Sequence, residues 1–129
     1  MAKPIFNFAH ICENASITSD GRVNILGIFT SIIASSKLFV YGPFSVVFNF
    51  TPGDKNPHEL KILIRSLSNE DIFNFDDKIG PATDDNSALG YILNIRRVKL
   101  EEEGEHFIVF YVDNNLIHKL SFNFIVKTK

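Results

Sequence analysis

Apolar and polar residues alternate along most of this chain, which is the pattern of β-strands that bury one face. The alternation is clearest after Gly42, where Phe44, Val46, Phe48 and Phe50 share one side of a predicted strand. Clusters of Gly, Pro, Asn and Asp separate such segments, and none has the period of an amphipathic helix. The pattern predicts strands at Ile5 to Glu13, Arg22 to Ser31, Phe44 to Thr51, Glu59 to Leu67, Ile72 to Phe75 and Ala88 to Leu100.

The last quarter of the chain predicts a closing β-hairpin, because two β-rich runs within residues 104–127 flank a short Asp/Asn cluster. With this hairpin the chain has about seven or eight strands. We therefore expect an all-β fold, namely a single antiparallel β-sandwich formed by residues 1–129.

The register of the hairpin follows from the position of its turn. A two-residue turn at Asn114-Asn115 is expected, since asparagine tolerates the positive φ that such turns require. Phe107 then pairs with Phe122, and directly opposed residues share a face. The predicted core face carries Phe107, Val109, Tyr111, His118, Leu120, Phe122 and Phe124.

The other face of this predicted hairpin is too apolar for an ordinary surface. Each large apolar side chain gains about 1.5–3 kcal/mol from burial, so we expect a partner protein or a second copy of the chain to cover it. Two alternatives stay open: the domain itself covers both sides of the strand, or the turn is longer and the register differs. The predicted interface residues are Ile108, Phe110, Val112 and Ile117.

Composition narrows the possible partners. The chain has 129 residues, 45% of them apolar, and its 13 basic and 15 acidic residues give a net charge of −2. A nucleic-acid-binding domain would carry a basic excess, and a domain that binds anionic membranes would carry a polybasic run. We therefore expect no nucleic-acid ligand. The 13 phenylalanines suit the core of a β-sheet.

Location is predicted from two features. The N-terminal residues alternate too much for a signal peptide, and no apolar run is long enough for a membrane span. Cys12 is the only cysteine, so no internal disulfide forms. These features predict a cytoplasmic protein.

The histidines and the cysteine do not form a catalytic motif. Histidines stand at positions 10, 58, 106 and 118 without metal-binding or triad spacing. Cys12 alternates with Phe8 and His10, so we expect it in the core as a small apolar group. The sequence predicts a non-enzyme without a cofactor, and an enzyme that uses His10 or His118 in a cleft is the weaker alternative.

One acidic segment offers a different binding function. A loop is predicted at residues 76–86, and loop carboxylates of β-sandwiches can bind calcium through about six to eight oxygen ligands. The alternative hypothesis is therefore a module that binds calcium, a lipid headgroup or a sugar. Its residues would be Asp76, Asp77, Asp84 and Asp85.

Residues 12–29 carry a family resemblance. Their sequence is Cys-Glu-Asn-Ala-Ser-Ile-Thr-Ser-Asp-Gly-Arg-Val-Asn-Ile-Leu-Gly-Ile-Phe, in which Asp20-Gly21 predicts a turn. This stretch resembles the signature of a family of small bacterial proteins of unknown function, which has an acidic residue, a small-residue strand, Asp-Gly and Asn-Ile-Leu-Gly-x-Phe. A C-terminal hairpin follows in that family, as in residues 104–126 here. The resemblance implies a β-sandwich of bacterial or phage origin and no particular activity.

The leading functional hypothesis from the sequence is a non-catalytic binding or assembly module. It would bind a protein partner or self-associate through the C-terminal hairpin. The hypothesis depends on the apolar hairpin face and on the register that produces it.

Overall fold

A computed structural model of the protein describes residues 4–19, 22–36, 39–84 and 87–127, and within these ranges the chain forms strands and no helix. No described segment is therefore a helix of the length and apolarity needed to cross a membrane. The all-β prediction is confirmed. The strands are β1 (Ile5–Ile17), β2 (Val23–Ile28), β3 (Ser31–Ala34), β4 (Phe39–Tyr41), β5 (Phe44–Thr51), β6 (His58–Arg65), β7 (Asp71–Ile79), β8 (Leu89–Ile95), β9 (Val98–Leu100), β10 (Gly104–Val112) and β11 (Asn115–Val126).

The strands form two main sheets that pack face to face. The four-stranded sheet has the order β2-β1-β5-β8, and the five-stranded sheet has the order β3-β11-β10-β6-β7. A short pair, β4 with β9, stands beside them. Every pairing among the described strands is antiparallel except the parallel pairing of β3 with β11. The predicted β-sandwich is confirmed, and its additional strands are short ones from segments whose alternation is irregular.

The core lies between the two sheets and consists mainly of phenylalanine and branched aliphatic side chains. Phe44, Val46, Phe48 and Phe50 of β5 are buried in it, as their alternation predicts. The ring of Phe48 stacks on that of Phe110 from the opposite sheet, with centroids 4.8 Å apart. This contact between rings of the two sheets places both side chains at the centre of the sandwich.

The turn of the final hairpin differs from the prediction by one residue. Asp113 and Asn114 have φ angles of 50° and 66°, and Val112 pairs with Asn115. These two residues therefore form the turn, since both central positions have the positive φ of a tight hairpin turn. The reason is a long-range contact: the backbone N–H of Asp113 donates to the carbonyl of Glu59 at 2.8 Å, which fixes the hairpin tip against β6.

A β-bulge beside the turn then moves the pairing back by one residue. The register shifts after Phe110, so that Phe110 pairs with His118 and Ile108 with Leu120. One strand carries an extra residue, Ile117, which is a β-bulge. As a result, β11 keeps its predicted core residues, whereas β10 turns the other set of side chains inward.

This register corrects the predicted interface. Ile108, Phe110 and Val112 are core residues with at most 1% of their surface exposed. Ile117 is half-buried and packs against the same core. The prediction that these four residues form an exposed contact face is therefore wrong. The register differs, as one alternative stated, but the turn still has two residues and is not longer.

Candidate binding surface

The outer face of the four-stranded sheet is the side opposite to its core residues. Val46 and Phe48 of β5 point into the core, so the residues between them point away from it. Cross-strand pairing then assigns the outer positions of the neighbouring strands. We call this surface the A face, and its residues are Ile5, Phe8, His10, Cys12, Asn14 and Ser16 of β1, Asn24, Leu26 and Ile28 of β2, Ser45, Val47, Asn49 and Thr51 of β5, and Gly90, Ile92 and Asn94 of β8.

The A face lacks acidic and basic residues and exposes large apolar side chains. All of its residues lie in the described part of the chain, and none of them is an aspartate, glutamate, lysine or arginine. Leu26 and Ile28 are 67% and 54% exposed. Phe8, His10 and Ile92 are half-buried beside them. A depletion of charge around exposed apolar side chains is typical of the centre of a protein–protein interface.

A β-bulge in β1 and a glycine in β2 determine which side chains lie on the A face. The β1–β5 register shifts between Phe6 and Phe8, so Phe6 packs in the core while Phe8 lies on the A face. Gly27, between Leu26 and Ile28, has a φ of +71°, a value that favours glycine. A Cβ atom there would come within 2.9 Å of the Glu13 side chain. The sequence pattern missed this surface, because a strict alternation places Phe6 and Phe8 on the same side.

Cys12 is buried, but on the A face and not in the predicted core. Its thiol donates to the carbonyl of Ser45 at 3.6 Å, and the Ser45 hydroxyl donates to Oδ1 of Asn94 at 2.7 Å. Burial raises the pKa of the Cys12 thiol above its ordinary value. A protonated, buried thiol is a poor nucleophile, so this arrangement favours a structural role.

The outer face of the five-stranded sheet, which we call the B face, carries charged residues of both signs. Arg65 donates from Nε to Oδ1 of Asp71 at 2.8 Å. The ammonium of Lys119 lies 4.5 Å from the ring centre of Phe107. Alternation and pairing assign these charged residues to the B face: Glu59, Lys61, Arg65, Asp71, Asp76, Lys78, Glu105 and Lys119.

His58 links two loops at one end of the sandwich. Its Nδ1 lies 2.6 Å from Oδ2 of Asp113, and its Nε2 lies 2.8 Å from Oδ1 of Asp54. Oδ1 of Asp113 also accepts the backbone N–H of Glu59 at 3.0 Å. With both ring nitrogens paired, His58 is a structural clamp on the hairpin tip and has no nitrogen left for catalysis.

The clamp changes the pKa values of its members. Burial lowers the pKa of His58, but hydrogen bonds to Asp113 and Asp54 outweigh it, and the net pKa is raised. The backbone hydrogen bond from Asn56 and then that of His58 lower the pKa of Asp54. Burial acts to raise the pKa of Asp113, yet the hydrogen bonds from Glu59 and His58 hold it below its usual value. All three shifts favour the charged ion cluster.

The acidic segment of the calcium hypothesis is not one loop. Asp76 and Asp77 belong to β7, where adjacent residues point to opposite faces. Asp77 accepts a hydrogen bond from the hydroxyl of Tyr91, and burial together with that bond raises the pKa of Tyr91 to about 12. Asp84 lies in the following loop, and Asp85, like the predicted Asp20-Gly21 turn, falls outside the described residues. Within the described ranges no three histidine, cysteine or acidic residues group around a potential metal position.

The remaining histidines do not share one cleft. His118 stacks on Phe6 with ring centres 3.8 Å apart, on the core side of β11 as predicted. His10 lies on the A face beside Phe8, with ring centres 5.8 Å apart. His106 is fully buried and stacks on Phe122.

Two solved structures are similar to the chain at low sequence identity. One is the alkylpurine DNA glycosylase AlkC of Pseudomonas fluorescens bound to DNA containing an abasic site analogue, with 12% identity and a TM-score of 0.48. That similarity covers 92% of this chain and 30% of the glycosylase. The other is an immunoglobulin-like protein of Pseudomonas aeruginosa, with 11% identity, a TM-score of 0.48, and coverage of 95% of this chain and 97% of that protein. Neither similarity is close enough to carry an argument about this chain.

Comparison by sequence gives a clearer result. No curated protein matches the chain. A model of one protein family, described as a family of unknown function, matches residues 7–125. This match confirms the expected membership in an uncharacterised family. The chain therefore belongs to the family of unknown function DUF6941.

Proposed function

We propose that this protein is a non-catalytic binding or assembly module whose A face contacts another protein surface. The observation that carries the proposal is the absence of charged residues from this described face, together with the exposure of Leu26 and Ile28. The proposal keeps the binding role expected from the sequence and moves the contact surface from the final hairpin to the four-stranded sheet.

Energetics support a covering partner. Burial of the exposed part of Leu26 and of Ile28 would gain about 1–2 kcal/mol each, since a side chain that becomes fully buried gains roughly 1.5–3 kcal/mol. The polar groups of the face that are already paired, such as Ser45 with Asn94, need no water after contact. In addition, β2 is an edge strand whose free side allows a partner strand to extend the sheet.

Self-association is the simplest form of the proposal. Sedimentation velocity of the purified protein over a wide concentration range measures it, with Leu26→Asp as the variant. Leu116→Asp is the matched control, because Leu116 is 55% exposed and pairs with Tyr111 on the B face. We expect concentration-dependent dimers in the natural protein and in Leu116→Asp, and monomers in Leu26→Asp.

A different protein partner gives a different result. The natural protein would then be monomeric, and a photo-crosslinking amino acid placed at Ile28 would form a discrete adduct in the native cell, whereas one at Leu116 would not. A monomer that also crosslinks equally at both positions would remove the proposal.

A cytoplasmic location and a bacterial origin belong to the same proposal. The unpaired, buried thiol of Cys12 suits a reducing compartment. Fractionation of the native cell, followed by detection of the protein in each fraction, tests the location.

A further inference from the structure

One end of the A face carries a cluster of amide and hydroxyl side chains, which we call the Asn7 cluster. Asn7 is the extra residue at the bulge in β1, and its Nδ2 donates to Oδ1 of Asn49 at 2.8 Å and to the Thr51 hydroxyl at 3.0 Å. Asn49 and Thr51 lie on the A face, so the bulge directs Asn7 toward that face as well. The bulge therefore brings together polar side chains that regular alternation would place on opposite faces.

The Asn7 cluster keeps hydrogen-bonding groups for a ligand. Both N–H bonds of the Asn7 amide are used inside the cluster. Oδ1 of Asn7, Nδ2 of Asn49 and the hydroxyl proton of Thr51 have no hydrogen-bond partner in the part of the chain that the structure describes. Gly90 lies opposite Asn49 on β8 and is exposed, so no side chain covers the amide from that strand. The cluster therefore offers both an acceptor and donors at the surface.

Apolar side chains lie directly beside these polar groups. Ile5 pairs with Thr51 and is 62% exposed. Phe8 pairs with Asn49, and its half-buried ring lies 5.8 Å from that of His10, with an angle of 29° between the two planes. Aromatic rings provide a large and rigid apolar area for contact. The site therefore combines an aromatic and aliphatic surface with amide and hydroxyl groups at its side.

The lack of charge on the A face narrows the class of ligand. None of its described residues is an aspartate, glutamate, lysine or arginine. A nucleotide or a nucleic acid is a poor match, because lysine and arginine are the main partners of phosphate groups. A neutral sugar is a better match. Its hydroxyl groups both donate and accept hydrogen bonds, and the C–H groups on one face of a pyranose ring are apolar and pack on aromatic rings.

We propose that the Asn7 cluster binds a neutral saccharide, with a pyranose ring packed on Phe8 and its hydroxyl groups bonded to Asn7 and Asn49. This site goes beyond the protein contact proposed above, which depends on Leu26 and Ile28. Ile28 pairs with Cys12, which lies about 13 Å along β1 from Phe8 at roughly 3.3 Å per residue. The two sites are therefore neighbours on the A face that share no side chain.

The test uses the complete ¹⁵N-labelled protein and a panel of neutral oligosaccharides, namely cellohexaose, maltohexaose and chitohexaose. Each is titrated while the backbone and side-chain amides are followed by NMR. We expect a saturable shift of the side-chain amides of Asn7 and Asn49 with at least one of these compounds. Because the site has no charge, its affinity should be the same in about 0.05 M and about 0.5 M sodium chloride.

Two matched pairs of variants locate the binding. Phe8→Ala removes the proposed ring contact and should weaken binding about tenfold or more, whereas Phe107→Ala removes a half-buried ring of the B face and should leave the affinity unchanged. Asn7→Ala removes the amide that links the cluster and should weaken binding, whereas Asn123→Ala removes an exposed asparagine of the B face and should not. The amide spectrum of each variant shows that it is folded.

Any of the following results would overturn the proposal: no saturable shift with any compound of the panel, equal affinity in the two members of either pair of variants, shifts confined to amides of the B face, or an affinity that falls as the salt concentration rises. The oligomeric state of Leu26→Asp is measured separately and without a sugar. A failure of the saccharide site is therefore distinguishable from a failure of the protein contact.

Discussion

The two outer faces of the sandwich differ in the side chains they present. The B face carries charged residues on β6, β7, β10 and β11, among them the Arg65–Asp71 pair. The A face carries none in its described residues and exposes Leu26 and Ile28 instead. The B face has the composition of a surface that water covers, whereas the A face has that of a surface that another protein covers.

This contrast depends on the register of the final hairpin. Without the bulge at Ile117, the B face would carry Ile108, Phe110 and Val112, whether the turn lay at Asn114-Asn115 or at Asp113-Asn114. With the bulge, these side chains fill the core. The comparison therefore teaches that a shift of one residue decides which surface is the candidate interface.

The largest expected effect tests this register. Phe110→Ala should lower the free energy of unfolding by about 3–5 kcal/mol, because it removes a fully buried ring that stacks on Phe48. Phe107→Ala should cost only about 1 kcal/mol, since its half-buried ring on the B face mainly loses the contact with Lys119. Urea unfolding of both variants measures the two values. A larger loss of unfolding free energy in Phe107→Ala than in Phe110→Ala would mean that Phe107 lies in the core. The contrast between the two outer faces would then be wrong.

A smaller effect is expected at the clamp that holds the turn. His58→Gln should lower the free energy of unfolding by about 1–2 kcal/mol near pH 6, because glutamine cannot bind Asp54 and Asp113 at once and both carboxylates are partly exposed to water. Thermal unfolding of the natural protein and the variant from about pH 4 to pH 9 measures the difference.

The pH dependence follows from the directions of the pKa shifts. The raised pKa of His58 stabilises the fold below its unfolded value of about 6.5, and this contribution is lost as the pH rises through the folded pKa. The lowered pKa values of Asp54 and Asp113 stabilise it above about 3.9, and this contribution is lost as the pH falls through their folded pKa values. The difference between the two proteins should be largest between about pH 4 and pH 6.5. A difference that stays constant with pH would contradict the ion cluster.

The smallest effect on stability is expected on the A face. Leu26→Asp should change the free energy of unfolding by less than about 1 kcal/mol, because the side chain is exposed in the isolated domain. Leu116→Asp on the B face should change the free energy of unfolding by a similarly small amount. Any loss of association in Leu26→Asp would then not be caused by unfolding. A loss of several kcal/mol in Leu26→Asp alone would mean that Leu26 packs within the domain and is unavailable to a partner.

Much of the fold could be predicted from local patterns. Phe44, Phe48 and Phe50 alternate without interruption on β5, and their burial follows directly. The pairing of His58 with Asp54 and Asp113 could not be predicted in this way, since Asp113 lies 55 residues away in the chain. The burial of Nε2 of His106 without a hydrogen-bond partner among the described residues could not be predicted either, because a strand pattern gives the face of a residue and not the partners of its atoms.

The sequence by itself determined the all-β class, the family and the core face of β5, because these depend on composition, motif and uninterrupted alternation. Only the tertiary structure decided which faces of β1 and β10 are buried. Each of these faces depends on a bulge, at Asn7 in β1 and beside Ile117 in the final hairpin, and the hairpin turn depends in addition on the contact of Asp113 with Glu59. The physical reason is the two-residue period of a strand: one extra residue reverses every side chain beyond it, and long-range contacts decide where that residue is accommodated.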